Sequence, residues 1–165
     1  MTTTLWFRDR NAWRLIAFGC LPWLAGLNLA WEAAHVRLYT LWTEEPSSYI
    51  AFSVLHCTLG DVLIGAAALF VALIAGREGA PARWRWPRIG VLTALIGTAY
   101  TVFSEWMNIT LFRSWTYAES MPRLDLGGFE LGLTPLAQWL VVPPLALYLS
   151  RRGTQWRDKT PPARA

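Results

Sequence analysis

Three acidic side chains, Glu32, Asp61 and Glu105, lie inside long apolar segments of this 165-residue sequence. A charged group at the centre of a membrane costs about 2.5–3.5 kcal/mol on insertion scales, so acids at such depth usually mark a functional site. Two carboxyl groups held in different environments can serve as an acid and a base. The sequence therefore predicts proton-transfer chemistry, with Glu105 as the acid and Asp61 or Glu32 as its catalytic counterpart.

Imidazole, amide and aromatic side chains accompany these acids. Asn28, Glu32 and His35 are separated by four and three residues, which places them on one face of a helix. His35 and His56 could relay protons, because imidazole titrates near neutral pH. The predicted ligand-binding residues are His35, His56, Asn108, Gln138, Trp115 and Tyr117.

The same residues allow a metal or haem hypothesis. Glu32 and His35 form a Glu-x-x-His pair, the i,i+3 arrangement of metal sites in helical bundles. His56 would add a further ligand for zinc, iron or manganese. The chain has two histidines, and as axial ligands they would permit a haem. The cofactor is left open, as is a structural role in which the polar groups only hydrogen-bond between helices.

Four apolar segments must position these side chains. They span residues 15–34, 52–75, 89–112 and 133–150, and each approaches the length of about 20 residues that a helix needs to cross a bilayer. Hydrophobic residues make up 54% of the chain and charged residues only 16%. The sequence predicts an all-α, polytopic membrane four-helix bundle over residues 1–150, followed by a short, basic, disordered tail over 151–165.

The basic residues predict the orientation. Three Arg residues precede the first span, four lie between the second and third, and five Lys or Arg residues follow the fourth, whereas the other two connections hold only three. Lys and Arg are enriched in cytoplasmic segments, so both termini are predicted to be cytoplasmic. The net charge of +4 is explained by this pattern and does not predict nucleic-acid binding.

This orientation brings the polar groups of all four helices to the outer half of the bundle. The segment 113–132 follows the third span on that side and could cover the site as a lid, since it combines Trp115 and Tyr117 with a pair of glycines. Cys20 and Cys57 fall near opposite ends of their helices, so no disulfide is expected, and both are predicted to be buried apolar residues.

Short motifs cover most of the chain after Trp31. They are Trp31-Glu32, His56-Cys57-x-x-Gly60-Asp61, Ser104-Glu105-Trp106-x-Asn108, Ser114-Trp115-x-Tyr117, Met121-Pro122 and Pro135-x-x-Gln138-Trp139. On these motifs the chain resembles a group of small bacterial four-helix inner-membrane proteins, which implies the fold and the membrane but no activity. The layout of acids is also similar to that of membrane sterol isomerases and carotenoid cyclases. The acidic Pro-Leu-Glu-Glu motif of the cyclases is replaced here by Pro135-Leu136-Ala137-Gln138.

The leading hypothesis is a multi-pass protein of the bacterial plasma (inner) membrane with a buried polar site near the periplasmic side. This site would bind a lipid-soluble molecule or carry out acid/base chemistry on it. One alternative is a metal- or haem-binding membrane protein that uses Glu32, His35 and His56. Another is a non-catalytic subunit or scaffold whose small residues, such as Gly60 and Gly65, pack against other proteins. An oligomer or a partner subunit is left open.

Overall fold

Four long helices dominate the computed structural model, which describes residues 5–112 and 114–159. They are α1 (Arg10–Leu38), α2 (Ser47–Ala75), α3 (Trp86–Phe112) and α4 (Leu133–Lys159). Each is long and apolar enough to cross a membrane, in α4 over Leu133–Gly153. The prediction of four such helices is confirmed.

The remaining elements are short. One-turn 3₁₀ helices lie at Trp6–Arg8 and Pro81–Arg83, and a one-turn α-helix lies at Leu41–Glu44. Two helices contain wider π-helical turns, α1 at Ile16–Cys20 and α3 at Met107–Phe112, and α1 finishes with a 3₁₀ turn at Val36–Leu38. Strands β1 (Arg123–Asp125) and β2 (Glu130–Gly132) form an antiparallel hairpin in which Leu124 pairs with Leu131.

α1, α2 and α3 begin earlier in the chain than the predicted spans, because polar and proline residues fix their first turns. The Asp9 side chain accepts a hydrogen bond from the Asn11 backbone N–H at 2.8 Å and caps α1. Pro46 immediately precedes α2, and Pro87 occupies the first turn of α3. Proline suits such positions, since the first N–H groups of a helix have no intrahelical partner.

The four helices form an up-and-down ring. α1 packs against α2 and α4, and α3 packs against the same two helices. We call the end that holds the start of α1 and the turn at 76–85 the proximal end. The distal end holds the segments 39–46 and 114–132, which join α1 to α2 and α3 to α4.

An apolar core fills the proximal half. Its fully buried side chains come from all four helices and are Ile16, Cys20, Leu69, Leu73, Ile89 and Leu147. The buried hydroxyls of Thr93 and Ser150 donate to carbonyl oxygens of their own helices, Ile89 and Ala146. Within the described residues, polar contacts in the proximal half are few: Cys20 of α1 meets Ser150 of α4, and buried Glu78 pairs with Arg85 in the turn at 76–85. The acids predicted for the site lie in the distal half.

Trp139 on α4 separates the two halves, and a glycine on α3 makes room for it. The indole is 3% exposed, and a Cβ atom added at Gly97 would lie 1.9 Å from its Cε3 atom. Gly65 on α2 approaches another edge of the ring, where an added Cβ would lie 3.9 Å from Cη2. The ring thus lies directly on the α3 backbone and forms the floor of the distal half.

Two predictions about side chains and the tail are wrong. Cys57 is exposed, although it was expected to be buried like Cys20. Both cysteines are free thiols, as expected. The segment predicted as a disordered tail is helical as far as Lys159, because α4 continues beyond its apolar part. Residues 160–165 of that predicted tail lie outside the described residues.

Candidate functional site

A cavity of about 580 Å³ lies in the distal half, between the four helices and above Trp139. Small-molecule sites span about 300–1,000 Å³, so the cavity is of a size to hold a ligand. All but one of the residues predicted for the site line it: Glu32, His35, His56, Asp61, Glu105, Asn108, Trp115 and Gln138. The exception, Tyr117, contacts Glu105 from behind the cavity wall.

The amide of Gln138 joins three helices at one point. Its Nε2 atom lies 2.8 Å from Oδ2 of Asp61, 3.0 Å from Oδ1 of Asn28 and 3.2 Å from Oε1 of Glu32. An amide nitrogen carries two hydrogens, so three acceptors compete for two donors. Gln138 and Asn28 are almost fully buried, which makes water a poor substitute for the missing donor. The acceptors therefore need a further proton among themselves.

The carboxyl groups of Glu32 and Asp61 are close enough to hydrogen-bond to each other. Two ionised carboxylates cannot do so, because neither has a hydrogen to donate. Within residues 5–112 and 114–159, neither acid forms an ion pair with Lys or Arg; the ionisable base beside them is His35, whose Nδ1 lies 3.7 Å from Oε1 of Glu32. One proton shared by the two acids supplies the hydrogen for the bond between them. It also provides the additional donor that the three acceptors around Gln138 lack.

Glu105 on α3 is held separately from this pair. Its carboxylate accepts a hydrogen bond from the Tyr117 hydroxyl, which in turn accepts one from the Gly132 backbone N–H at 2.9 Å. Trp115 also approaches the carboxylate with its indole N–H, and this buried donor makes no hydrogen bond of normal geometry with the described residues. Glu105 is therefore surrounded by donors from the segment 114–132.

Backbone hydrogen bonds join the two distal segments at the distal end of the cavity. Thr40 N–H donates to the Thr116 carbonyl at 3.0 Å, and Ala118 N–H donates to the Leu38 carbonyl at 2.9 Å. Tyr39 and Tyr117 form an isolated antiparallel bridge between them, with ring centroids 5.6 Å apart. We call the paired segments 38–40 and 116–118 the roof. The segment predicted to act as a lid is thus tied to α1.

The two roof tyrosines act as hydrogen-bond donors. Burial raises the pKa of Tyr39 well above its ordinary value, and the nearby carboxyl groups of Glu105 and Glu32 add to the effect. Burial and the contact with Glu105 likewise raise the pKa of Tyr117. Both phenols therefore keep their protons at neutral pH and present O–H groups rather than additional negative charge.

His35 has one nitrogen committed to the protein. Its Nδ1 lies 3.3 Å from the Trp31 carbonyl oxygen, and its ring stands edge-on to Tyr39 at 5.4 Å between centroids. When Nδ1 carries the hydrogen, Nε2 is an acceptor that makes no hydrogen bond with the part of the chain that the structure describes. A ligand in the cavity can use this acceptor.

His56 and Asn108 stand apart from the acids. His56 is exposed and stacks on Phe52 at 5.6 Å between ring centroids. Asn108 donates to the Ser104 carbonyl of its own helix at 2.8 Å, which leaves its side-chain oxygen free to accept. Both line the cavity, but neither joins the Gln138 hydrogen-bond network.

The metal hypothesis finds no support in this arrangement. Among residues 5–112 and 114–159, no three His, Cys, Asp or Glu side chains come together as a metal site requires. Glu32 and His35 are neighbours, as their spacing predicted, but His56 points to a different part of the cavity wall and is stacked on Phe52. The proposed ligand set of Glu32, His35 and His56 is therefore not assembled.

The site also contains two residues that were not predicted as members. Asn28 accepts a hydrogen bond from Gln138, whereas its spacing predicts only that it shares a helix face with Glu32. Tyr39 lies four residues after His35, so continuing that face by one turn would have found it. Gly65, considered as a scaffold contact, packs against Leu24 inside the bundle.

Tyr117→Phe tests whether the roof holds Glu105 in place. This change removes the donor to Glu105 and the acceptor for Gly132, and we expect it to lower the free energy of unfolding by about 1–3 kcal/mol. Thermal unfolding of the purified protein in detergent measures the effect. Tyr148→Phe is the control, because Tyr148 is exposed on α4 and keeps its ring contact with Arg152. Equal stability of the two variants would contradict this view of the roof.

No protein-family model, curated protein or solved structure matches this chain. The resemblance to small bacterial four-helix inner-membrane proteins therefore stays a prediction. The function proposed for this protein therefore rests on the geometry of the cavity.

Proposed function

We propose that this protein spans the bacterial inner membrane four times with both termini in the cytoplasm. The outward surfaces of the helices support insertion, since large apolar side chains there are more than half exposed: Phe18, Leu55, Leu59, Leu63 and Leu95. Lipid would cover this apolar surface, whose exposure to water is unfavourable. The concentration of Arg residues at the proximal end assigns that end to the cytoplasm and the cavity to the periplasmic side.

We further propose that the cavity binds a lipid-soluble molecule and that its acids transfer protons to and from it. The observation that carries this proposal is the contact between buried Glu32 and half-buried Asp61 at the wall of a ligand-sized cavity, where neither acid has a Lys or Arg partner among the described residues. A pair of this kind is expensive in a purely structural role, because apolar side chains would hold the helices together at lower cost. A role in proton transfer would explain why the Glu32–Asp61 pair is present.

The geometry supports roles opposite to those that the sequence favoured. The Glu32–Asp61 pair holds a proton and is the donor. The hydrogen bond from Tyr117 favours the charged form of Glu105 against the burial that opposes it, so Glu105 is the proposed proton acceptor. One proton passes from the pair to the substrate, and one passes from a neighbouring atom of the substrate to Glu105. Exchange with water then returns a proton to the pair and removes one from Glu105. The product is then an isomer of the substrate.

Deuterium incorporation tests this function without knowledge of the substrate. The purified protein in lipid nanodiscs is incubated in D₂O with a membrane lipid extract, and the extract is searched by mass spectrometry for a compound that gains deuterium. We expect incorporation with the wild type and a loss of about 100-fold or more with Glu105→Gln, as is usual for a general acid–base residue. Glu44→Gln is the matched control, because Glu44 is exposed on the distal surface.

The outcomes are separable. A wild-type protein that incorporates no deuterium would contradict proton-transfer chemistry. Incorporation that Glu105→Gln leaves unchanged would contradict the role of Glu105, while the Glu32–Asp61 pair would remain open to the same test through Asp61→Asn.

A further inference from the structure

The cavity extends along α2. Its lining on this helix runs from Tyr49 to Ile64, which corresponds to about 22 Å at the helical rise of about 1.5 Å per residue. An extended hydrocarbon chain can lie along a lining of this length.

The densest cluster of polar groups lies at one end of this length. Gln138, Asp61 and Glu32 meet near the deep end. Farther along, the polar side chains of His56 and Asn108 are interspersed with the apolar lining of Tyr49, Phe52 and Val54. A ligand that satisfies both regions carries a polar group at one end and an apolar chain beyond it.

α2 and α3 pack closely in the proximal half but leave a gap in the distal half. Leu69 and Leu73 of α2 share the apolar core with Ile89 of α3. Farther along, the side chain of Cys57 is exposed, and a Cβ atom added at Gly60 would meet no atom within 4 Å. Cavity-lining residues border this gap on both helices. We call it the side opening, and its borders are Phe52, Cys57 and Gly60 on α2 with Tyr100 and Ser104 on α3.

The surroundings of the side opening are mostly apolar, with the exposed ring of His56 stacked on Phe52 at its border. Leu59 and Leu63 on α2 and Phe103 on α3 are more than half exposed on the outer surface beside it. In a bilayer these side chains contact acyl chains, so the side opening faces lipid. The roof meanwhile ties the two distal segments together through two backbone hydrogen bonds at the distal end of the cavity.

We infer that the substrate is an amphiphile with one long hydrocarbon chain and that it enters laterally from the membrane through the side opening. Its polar group reaches Gln138 and the acids, and its chain lies along α2 and extends between α2 and α3. This inference rests on the proposed function and specifies the class of substrate.

Gly60→Leu tests it. The new side chain enters open space, so the fold has room for it, but it fills the side opening. Gly26→Leu is the matched control, because Gly26 on α1 also has open space at its Cβ, is exposed and does not line the cavity. The probes are two photoreactive amides with the same head group, one with a hexadecyl chain and one with a butyl chain. Saturable cross-linking to the full-length protein in nanodiscs is measured by mass spectrometry.

We expect Gly60→Leu to reduce saturable cross-linking of the hexadecyl probe at least about tenfold and that of the butyl probe less than about twofold. Gly26→Leu should leave both unchanged. Hexadecyl cross-linking that survives Gly60→Leu, or falls equally in Gly26→Leu, overturns the lateral route, and the proposed function stands if the butyl probe still binds. Absence of saturable binding of either probe to the wild type overturns both proposals.

A measurement on the wild type makes the result independent of how well any variant folds. Cys57 borders the side opening and Cys20 is fully buried, so an apolar photoactivated carbene reagent, which needs no ionised thiol, should label Cys57 in nanodiscs and leave Cys20 unlabelled. The hexadecyl probe at saturation should reduce labelling of Cys57 at least about fivefold, by occupying the gap. Unchanged labelling at saturating probe contradicts the proposal.

Discussion

Gln138→Leu is expected to abolish ligand binding and to lower the free energy of unfolding by about 2–5 kcal/mol. The amide nitrogen is the donor to Asn28, Glu32 and Asp61, and removing it leaves three buried acceptors without that hydrogen bond. Each buried polar group left unsatisfied costs about 1–3 kcal/mol. Thermal unfolding in detergent measures stability, and saturable cross-linking of the butyl amide probe measures binding.

A second change on the same background distinguishes a functional site from a structural contact. Replacing both partners of a buried hydrogen bond with apolar groups can be nearly neutral for stability. Gln138→Leu combined with Asp61→Leu should therefore recover part of the lost stability without recovering binding. Recovery of both would show that the network only holds helices together. Asn11→Leu is the control for an amide-to-leucine change, because the Asn11 side chain is exposed at the proximal end.

Gly97→Ala is expected to destabilise the bundle by about 1–3 kcal/mol or more. The added methyl group would overlap the Trp139 indole, a rigid ring that is 3% exposed and cannot move aside without disturbing the floor of the cavity. Overpacking of a filled core has a cost of this size. Thermal unfolding of the purified protein is the measurement.

Gly26→Ala is the matched control, since its added methyl group meets open space. The double variant Gly97→Ala with Trp139→Leu should show a favourable coupling energy, because the smaller side chain removes the overlap. Additive effects of the two changes would contradict the contact.

The fold could be predicted from hydropathy because a helix in lipid satisfies its own backbone, so an apolar run of sufficient length has few alternatives. The third and fourth spans were placed within a few residues of α3 and the start of α4. The first was too short at both ends, since α1 begins at the Asp9 cap and continues through its polar last turn to Leu38. Hydropathy registers the apolar part of a helix and not its polar ends.

Helical spacing predicted which residues gather at one depth but not how they pair. The face shared by Asn28, Glu32 and His35 follows from the helical repeat alone. The convergence of three acceptors on Gln138 depends on the rotation of each helix about its axis, which the repeat does not determine. His56 shows the same limit, because a rotation of α2 decides whether it faces the acids or stacks on Phe52.

The roof and the contact between Gly97 and Trp139 could not be predicted from the sequence either, because no local pattern indicates them. Tyr39 and Tyr117 lie far apart in sequence, and each belongs to a segment without regular structure, so no local pattern predicts their bridge. A glycine within an apolar helix has several explanations. Only the position of the Trp139 ring shows why this one is required.

The side opening has a consequence for how the activity would be assayed. A cavity whose side opening borders apolar, lipid-facing side chains would exchange its substrate with the bilayer rather than with the buffer. Turnover would then follow the mole fraction of substrate per lipid, and diluting the vesicles in buffer would leave the rate per protein unchanged. Adding inert lipid at constant total substrate would slow it.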